Sequence, residues 1–255
     1  MRILLTNDDG IHAPGFAVLE RIAAALSDDV TVCAPAEEQS GAGHSLSLTT
    51  PIRVRQFGPR RFAVAGTPTD AVMMALGEVM KDCRPDLILS GVNRGPNLAE
   101  DVTYSGTVSA AMEGTLAGVR SVALSQSMAD YAHGREDFSA AEATAPDIIR
   151  RLAAADWPEG VLVNINFPPI ARPRGVRVTR QGFRDYGHIR VDARVDPRGI
   201  PYYWFGYGRE MQTPGHRTDL EAVHAGYVSV TPLHLDLTHD RTLSMLEALL
   251  EPPAA

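Results

Sequence analysis

Cysteine is scarce in this chain, with only Cys33 and Cys83 among 255 residues. Two cysteines without spacing partners argue against a disulfide framework and are typical of reduced thiols in a cytosolic protein. A single disulfide between them is the less favoured alternative on the same compartment argument. We therefore expect two free thiols.

Long apolar runs are also missing. No stretch approaches the ~20 residues that a membrane span needs. Met1 and Arg2 run directly into an apolar segment, without the charged region and long apolar region of an export signal. The sequence therefore predicts a cytoplasmic protein with no membrane partner.

Basic residues are fewer than acidic ones, 24 against 31, which gives a formal net charge of -7. Such a chain has no long-range field to attract a nucleic-acid polymer. A mononucleotide is not excluded, because a metal ion or a helix N-terminus can bind phosphate within an acidic chain. Internal repeats and low-complexity tracts are absent too. The 44% hydrophobic content suits one large domain, or one domain with an appendage.

What the chain does contain is an alternation of strand and helix patterns, which is typical of a mainly parallel sheet with helices on both faces. We predict an α/β fold, a three-layer αβα, Rossmann-like arrangement. The strand candidates are 2–6, 30–33, 86–90, 122–125 and 161–165, with a hairpin over 51–64. The helix candidates are 16–26, 70–79, 107–116, 140–155 and 243–250.

The pattern changes after Gly182, where Gly, Pro, Tyr and Arg mix without a helical period. This stretch is too long and too rich in aromatic residues for a passive loop. We predict a catalytic core over residues 1–181, an extended C-terminal β-arm over 182–226, and a strand and helix over 227–255 that return to the core. The arm would bury Tyr202, Tyr203, Trp204 and Phe205 on a second subunit. An aromatic lid over the chain's own active site is the alternative.

Oxygen-bearing side chains follow three of the predicted strands. Asp8 and Asp9 come after the apolar run Ile3–Leu5, and Ser40 and Asn93 lie in loops after the strands at 30–33 and 86–90. If these strands are parallel neighbours, the four side chains could supply oxygens to one cation at the carboxyl edge of the sheet. Hard oxygen ligands favour Mg²⁺ or Mn²⁺. Asp8 and Asp9 are also the candidate catalytic residues, since either could accept a proton from water. For the Asp pair alone, a turn that caps the next helix is the alternative.

A second candidate feature opens the helix at 107–116. Gly106 would let backbone amides approach an anion, while the hydroxyls of Ser105 and Thr107 donate hydrogen bonds to it. The alternative is an ordinary N-cap followed by a closely packed helix, and both can hold together. His12 and His44 lie in the loops that would line the site. Each is either an acid–base group or a merely solvated side chain, and the sequence leaves this open.

Five ordered segments resemble the SurE survival proteins, which are metal-dependent 5′-nucleotidases of the cytoplasm. The segments are TNDDGIHAPG from Thr6, APAEEQSGAGHSLSLT from Ala34, GTPTDAV from Gly66, SGVNRGPNLAEDVTYSGTVSAAMEG from Ser90 and TPLHLDLT from Thr231. Together they span the chain in order, which makes coincidence improbable.

The resemblance implies one divalent cation per subunit, Mg²⁺ or Mn²⁺, held by Asp8, Asp9, Ser40 and Asn93. It implies phosphate contact by Ser105, Gly106 and Thr107, with Asn97 close by. It also implies hydrolysis of nucleoside 5′-monophosphates, a second activity on short polyphosphate, and homodimers or homotetramers joined by β-arms.

Two other functions are alternatives to the nucleotidase. A catalytically idle metal and nucleotide sensor would keep the same site for binding alone. A dinucleotide-dependent oxidoreductase is less favoured, because no Gly-x-Gly-x-x-Gly follows the first strand and the Asp pair would repel a pyrophosphate.

Overall fold

The computed structural model describes residues 1–129, 136–185, 189–207, 211–212 and 217–251. The strands are β1 (Ile3–Thr6), β2 (Val30–Pro35), β3 (Arg53–Gly58), β4 (Arg61–Ala65), β5 (Leu87–Arg94), β6 (Arg120–Gln126), β7 (Val161–Phe167), β8 (Val176–Val178), β9 (Arg184–Asp185), β10 (Ile189–Val195), β11 (Pro201–Tyr207), β12 (Met211–Gln212) and β13 (Val228–His234). The helices are α1 (Pro14–Ala24), α2 (Pro68–Met74), α3 (Gly106–Leu116), α4 (Ser139–Ala154), α5 (Asp219–His224) and α6 (Asp240–Leu250). A π-helical turn, Ala75–Val79, continues α2, and a 3₁₀ turn spans Ala99–Thr103.

Nine strands form one central sheet, in the order β3-β4-β2-β1-β5-β6-β7-β13-β8. The strands from β4 to β7 in this order are parallel to their neighbours, whereas β3 is antiparallel to β4 and β13 is antiparallel to β7. The predicted mainly parallel α/β fold is therefore confirmed, and the predicted hairpin over 51–64 is β3–β4.

Helices cover both faces of this sheet. Ile3 and Leu5 of β1 pack in a core with α1 and α4, whereas Leu4 packs in a second core with α2 and α3. Successive side chains of a strand point to opposite faces, so Leu4 enters one core while Ile3 and Leu5 on either side of it enter the other. This burial on two sides explains why the strand is a continuous apolar run in the sequence.

The segment after Gly182 contains several strands and a short helix. Strands β10 and β11 form a separate antiparallel hairpin, which we call the β-arm. Within the residues of the predicted arm, helix α5 packs beside β13, and Asp219, Ala222 and Val223 are buried. Six residues are too few for a helical period to be recognised in the sequence. Residues 186–188, 208–210 and 213–216 of the predicted arm lie outside the described residues.

The C-terminal segment also divides into two parts. Strand β13 lies in the central sheet between β7 and β8. Helix α6 forms where a helix was predicted, but each of its residues is exposed in the described chain.

Both thiols are free, as predicted: Cys33 is buried in β2 and Cys83 is exposed. Burial raises the pKa of the Cys33 thiol to about 12. Among the described residues, no helix is both long enough and apolar enough to cross a membrane.

The approach of α1 to β5 provides a test of this packing. A Cβ atom on Gly15 would lie 2.0 Å from the carbonyl oxygen of Val92, whereas a Cβ on Gly77 would meet no atom within 4 Å. We expect Gly15→Ala to lower the free energy of unfolding by about 1–3 kcal/mol, because the backbone must shift. Gly77→Ala should leave it unchanged or raise it slightly. Urea unfolding curves measure both, and equal stability of the two variants would contradict the described packing.

Candidate active site

Three loops meet at the carboxyl edge of the sheet, because β1 lies between β2 and β5 and all three strands are parallel. The backbone N–H of Gln39 donates to the carbonyl oxygen of Asp8 at 2.8 Å. The backbone N–H of Arg94 donates to Oδ2 of Asp9 at 3.1 Å. The loop that carries Ser40 is thus bonded to the Asp8–Asp9 segment through Gln39, and Asn93 is linked to it through Arg94. Asn93 lies at the end of β5 and not in the predicted loop, because this strand runs four residues beyond the predicted end at residue 90.

The first turn of α3 lies against Asp8. The hydroxyl of Thr107 donates a hydrogen bond to Oδ1 of Asp8. A Cβ atom on Gly106 would lie 2.7 Å from the Cβ of Asp8 and 3.0 Å from its Oδ2, so this helix can come so close only with glycine at that position. The glycine that was predicted to admit an anion therefore also admits the side chain of Asp8.

Burial sets the electrostatics of the two carboxylates. Only 4% of Asp8 is exposed. Its burial, with the adjacent charge of Asp9, raises the pKa of Asp8 to about 7, although hydrogen bonds from Thr107 oppose this shift. Burial also raises the pKa of Asp9, and the backbone N–H of Arg94 opposes it. Two adjacent carboxylates in such surroundings are costly to ionise together unless positive charge offsets them.

The remaining two candidate ligands complete an all-oxygen set. Ser40 is exposed, and its Oγ donates to Oε1 of Glu38 at 2.9 Å. Nδ2 of Asn93, at the end of β5, donates to the carbonyl oxygen of Gly95 at 3.0 Å, so Oδ1 is the atom that could face a cation. No group of three or more His, Cys, Asp or Glu side chains in the described part of the chain is arranged to hold a metal. Two carboxylates, a hydroxyl and an amide oxygen nevertheless fit a hard divalent ion.

Two of the candidate phosphate-binding residues, Ser105 and Asn97, have different hydrogen-bond partners within the protein. Ser105 is the N-cap of α3, since its Oγ accepts a hydrogen bond from the N–H of Val108 at 3.0 Å. The capping alternative is therefore real, and the Ser105 hydroxyl proton stays available to a ligand. Asn97 is buried, and its Nδ2 donates to Ser125 Oγ at 2.8 Å. Within the described chain it makes no hydrogen bond to Asp8 or Asp9.

The two loop histidines are held by different elements. The ring of His12 packs edge-on against Phe57, with 5.7 Å between ring centroids. Nε2 of His44 lies 3.0 Å from Oε2 of Glu113 on α3. Within the described residues, neither ring forms a hydrogen bond or ion pair with Asp8 or Asp9, and their acid–base roles stay predictions.

Several residues near the candidate site are not among those predicted from the sequence. Glu38 and Glu136 add negative charge beside Asp9, and Arg94 forms an ion pair with Glu136 at 3.1 Å. Asn164 and Asn166 on β7 are fully buried and hold the backbone of Asn97. The two asparagines alternate with Val163 and Ile165, and this period-2 pattern is the signal that could have revealed a polar face inside the protein.

The fold and this edge of the sheet define an α/β protein with a candidate metal- and phosphate-binding site at the ends of parallel strands. The sequence model of the Survival protein SurE family matches residues 3–188. The chain therefore belongs to the SurE family.

Relatives of known name cover almost the whole chain. It is 60% identical over 252 residues to the 5′-nucleotidase SurE of Rhizorhabdus wittichii, covering 98% of this chain and 99% of that protein. It is 59% identical over 248 residues to the 5′-nucleotidase SurE of Erythrobacter litoralis, covering 96% and 98%. The crystal structure of the SurE protein from Aquifex aeolicus has a TM-score of 0.83 and 40% identity, covering 98% of this chain and 99% of that one.

The raised pKa of Asp8 predicts how the metal-free protein responds to pH. The pKa of this group rises on folding from 3.8 to about 7, so the folded state holds a proton that the unfolded chain releases between these values. The contribution of Asp8 to stability therefore falls as the pH rises through this range. We compare the chelator-treated parent protein with chelator-treated Asp8→Asn. Between about pH 4 and about pH 7, the melting temperature of the parent should fall by more than that of the variant.

Added Mn²⁺ should reduce this difference, because the ion binds the ionised carboxylate. Calorimetry on both proteins at each pH measures the effect. Identical pH profiles for parent and variant would show that Asp8 does not titrate in this range.

Proposed function

We propose that this protein is a divalent-metal-dependent 5′-nucleotidase that hydrolyses nucleoside 5′-monophosphates to nucleoside and phosphate. The observation that carries the proposal is the Asp8–Asp9 pair, in which Asp8 is buried and Asp9 half-buried. The first turn of α3, the loop after β2 and the end of β5 all bond to this pair. The 5′-nucleotidase names of relatives that match nearly the whole chain support the same reaction.

The proposed ligands of one Mg²⁺ or Mn²⁺ ion are Asp8, Asp9, Ser40 and Asn93. Such an ion, when bound, polarises a phosphoryl oxygen, orients a water and offsets charge on the leaving oxygen. Asp8 and Asp9 contribute the negative charge that attracts the ion, and either carboxylate can accept a proton from the attacking water.

The proposed phosphate contacts come from Ser105, Gly106 and Thr107, with Asn97 nearby. The N-terminus of α3 carries positive partial charge, which favours an anion. The Thr107 hydroxyl donates to Asp8 in the structure. It has one proton, so we propose that it turns to phosphate when a cation occupies the carboxylate. Short polyphosphate presents the same terminal group and is a proposed second substrate.

The reaction has a direct test. We expect Asp8→Asn and Asp9→Asn each to lower turnover at least ~100-fold, because each removes charge from the ion site. The measurement is phosphate release from a panel of nucleoside 5′-monophosphates, with Mn²⁺ and with excess chelator. Circular dichroism checks that the fold is intact.

Asp156→Asn is the matched control, because Asp156 precedes β7 at the opposite edge of the sheet and its side chain is fully exposed. Its turnover should stay within about twofold of the parent. Full turnover in excess chelator would overturn metal dependence, and nucleotide binding without hydrolysis would favour the sensor.

We also propose that the protein is a homodimer or homotetramer, working in the cytoplasm. The β10–β11 hairpin pairs with no other described strand, and its Tyr203, Trp204 and Phe205 are 60%, 61% and 84% exposed. An isolated hairpin is marginally stable in water, and exposed apolar patches of this kind mark contact surfaces. Such exposure favours the hypothesis of an arm that contacts a second subunit. A lid packed over the chain's own active site would bury these side chains. Exposed Leu246, Leu249 and Leu250 on α6 add a second apolar surface.

Light scattering tests the assembly. We expect a mass of two or four chains, against 27.5 kDa for one. The double variant Trp204→Ser/Phe205→Ser should lower it, because contact surface on the arm is lost. Leu116→Ser, which changes a 61% exposed residue at the end of α3, should not. A monomeric parent protein would refute the arm hypothesis.

A further inference from the structure

The segment from Asn97 to Ala99 is held from several sides. The backbone N–H of Asn97 donates to Oδ1 of Asn166 at 2.8 Å, and its carbonyl oxygen accepts from Nδ2 of Asn164 at 2.9 Å. With the contact of its side chain to Ser125, Asn97 is fixed by β6 and β7. These contacts secure the front of the segment but do not reach Ala99.

Ala99 needs an anchor of its own. Its φ of 53° lies in the left-handed region, which is unfavourable for a residue with a Cβ atom. Its N–H donates to Oδ2 of Asp219 at 2.9 Å, and its carbonyl oxygen accepts from Nε2 of Gln181 at 2.9 Å. Gln181 precedes the β-arm in the sequence and Asp219 follows it, so these partners are 82 and 120 positions from Ala99.

Asp219 joins this loop to the base of the arm. It is fully buried, and its Oδ1 accepts hydrogen bonds from the N–H groups of Gly182 and Leu220, each at 2.8 Å. A buried carboxylate in contact with three N–H donors forms charge-assisted bonds, which are stronger than neutral ones. One side chain thus fixes the strained residue of the loop, the entry to the arm and the start of α5.

We propose that Asp219 is a positioning residue for phosphate binding: it holds the Asn97–Ala99 loop in place through its bond to Ala99. The inference rests on the proposed function, since it takes Asn97 as part of the phosphate site. Asp219 itself touches no substrate. The chain beyond the arm thereby completes a site whose proposed ligands all precede the arm.

Asp219→Asn separates the two sides of this carboxylate. The amide of the variant keeps one acceptor oxygen. We expect this oxygen to take the place of Oδ1 and to accept from the N–H groups of Gly182 and Leu220. Its NH₂ group then faces the N–H of Ala99, and two donors cannot bond to each other. The substitution therefore releases the loop while it preserves the base of the arm.

The measurement is the affinity for inorganic phosphate in the presence of saturating Mn²⁺, from the phosphate-dependent shift in melting temperature of the full-length protein. We expect Asp219→Asn to weaken phosphate binding about fivefold, the usual range for one lost hydrogen bond. The KM for a nucleoside monophosphate should rise by a similar factor. Mn²⁺ affinity should stay unchanged, because Asn93 lies on β5, whose end is held separately through the Arg94–Asp9 bond.

Thr218→Ala is the matched control. Thr218 is the N-cap of α5, and its Oγ1 accepts from the N–H of Glu221. Its side chain forms no hydrogen bond with Ala99 in the described part of the chain, where the partners of Ala99 are Asp219 and Gln181. The variant should lower the melting temperature and leave phosphate affinity within twofold. Gln181→Ala removes the other contact to Ala99 and should weaken phosphate binding in the same direction, which keeps the test open if Asp219→Asn does not fold.

Unchanged phosphate affinity in both Asp219→Asn and Gln181→Ala would overturn the proposal, and so would an equal loss in Thr218→Ala. Either outcome would reduce Asp219 to a purely structural role. Failure of the nucleotidase proposal is distinguishable, because the parent protein would then bind phosphate without releasing it from any nucleotide.

Discussion

Asp8 is buried at the end of β1, where its carboxylate accepts a hydrogen bond from Thr107 and meets the first turn of α3. This contact requires glycine at position 106 and places the N-terminus of α3 beside the carboxylate oxygens of Asp8. A buried carboxylate is stable only with donors or positive charge around it, and the Thr107 hydroxyl is one such donor. The loop after β2, which carries Ser40, and the end of β5, which carries Asn93, bond to the same segment.

Much of this fold could be predicted because its strongest signals are local. The run Ile3–Leu5 and its counterparts at 87–89 and 122–124 are continuous apolar stretches, which identify strands covered on both faces. The elements that escaped prediction are short: β8 has three residues and α5 has six. Their positions follow from long-range packing on β13 and not from any period in the sequence.

The sequence could indicate that Asp8, Ser40 and Asn93 lie near one edge of the sheet, since parallel strands deliver the residues that follow them to one side. What the sequence could not indicate is which side chain meets which. The Thr107 hydroxyl faces Asp8 across 99 positions, and Asp219 holds Ala99 across 120. Such pairings depend on distances fixed only when all layers have packed. The same limit left His12 and His44 undecided, because their neighbours Phe57 and Glu113 lie on other elements.

The strand order also governs when the site can exist during folding. Strand β1, made first, pairs with β5 through Ile3 and Leu87, so the chain must close a loop of more than eighty residues before the two meet. Non-local pairing of this kind slows folding. On a ribosome, the proposed metal and phosphate residues and α3 all emerge before Asp219, whose carboxylate anchors Ala99. Asp8 of a growing chain can thus meet Thr107 while the loop at Ala99 still lacks its anchor.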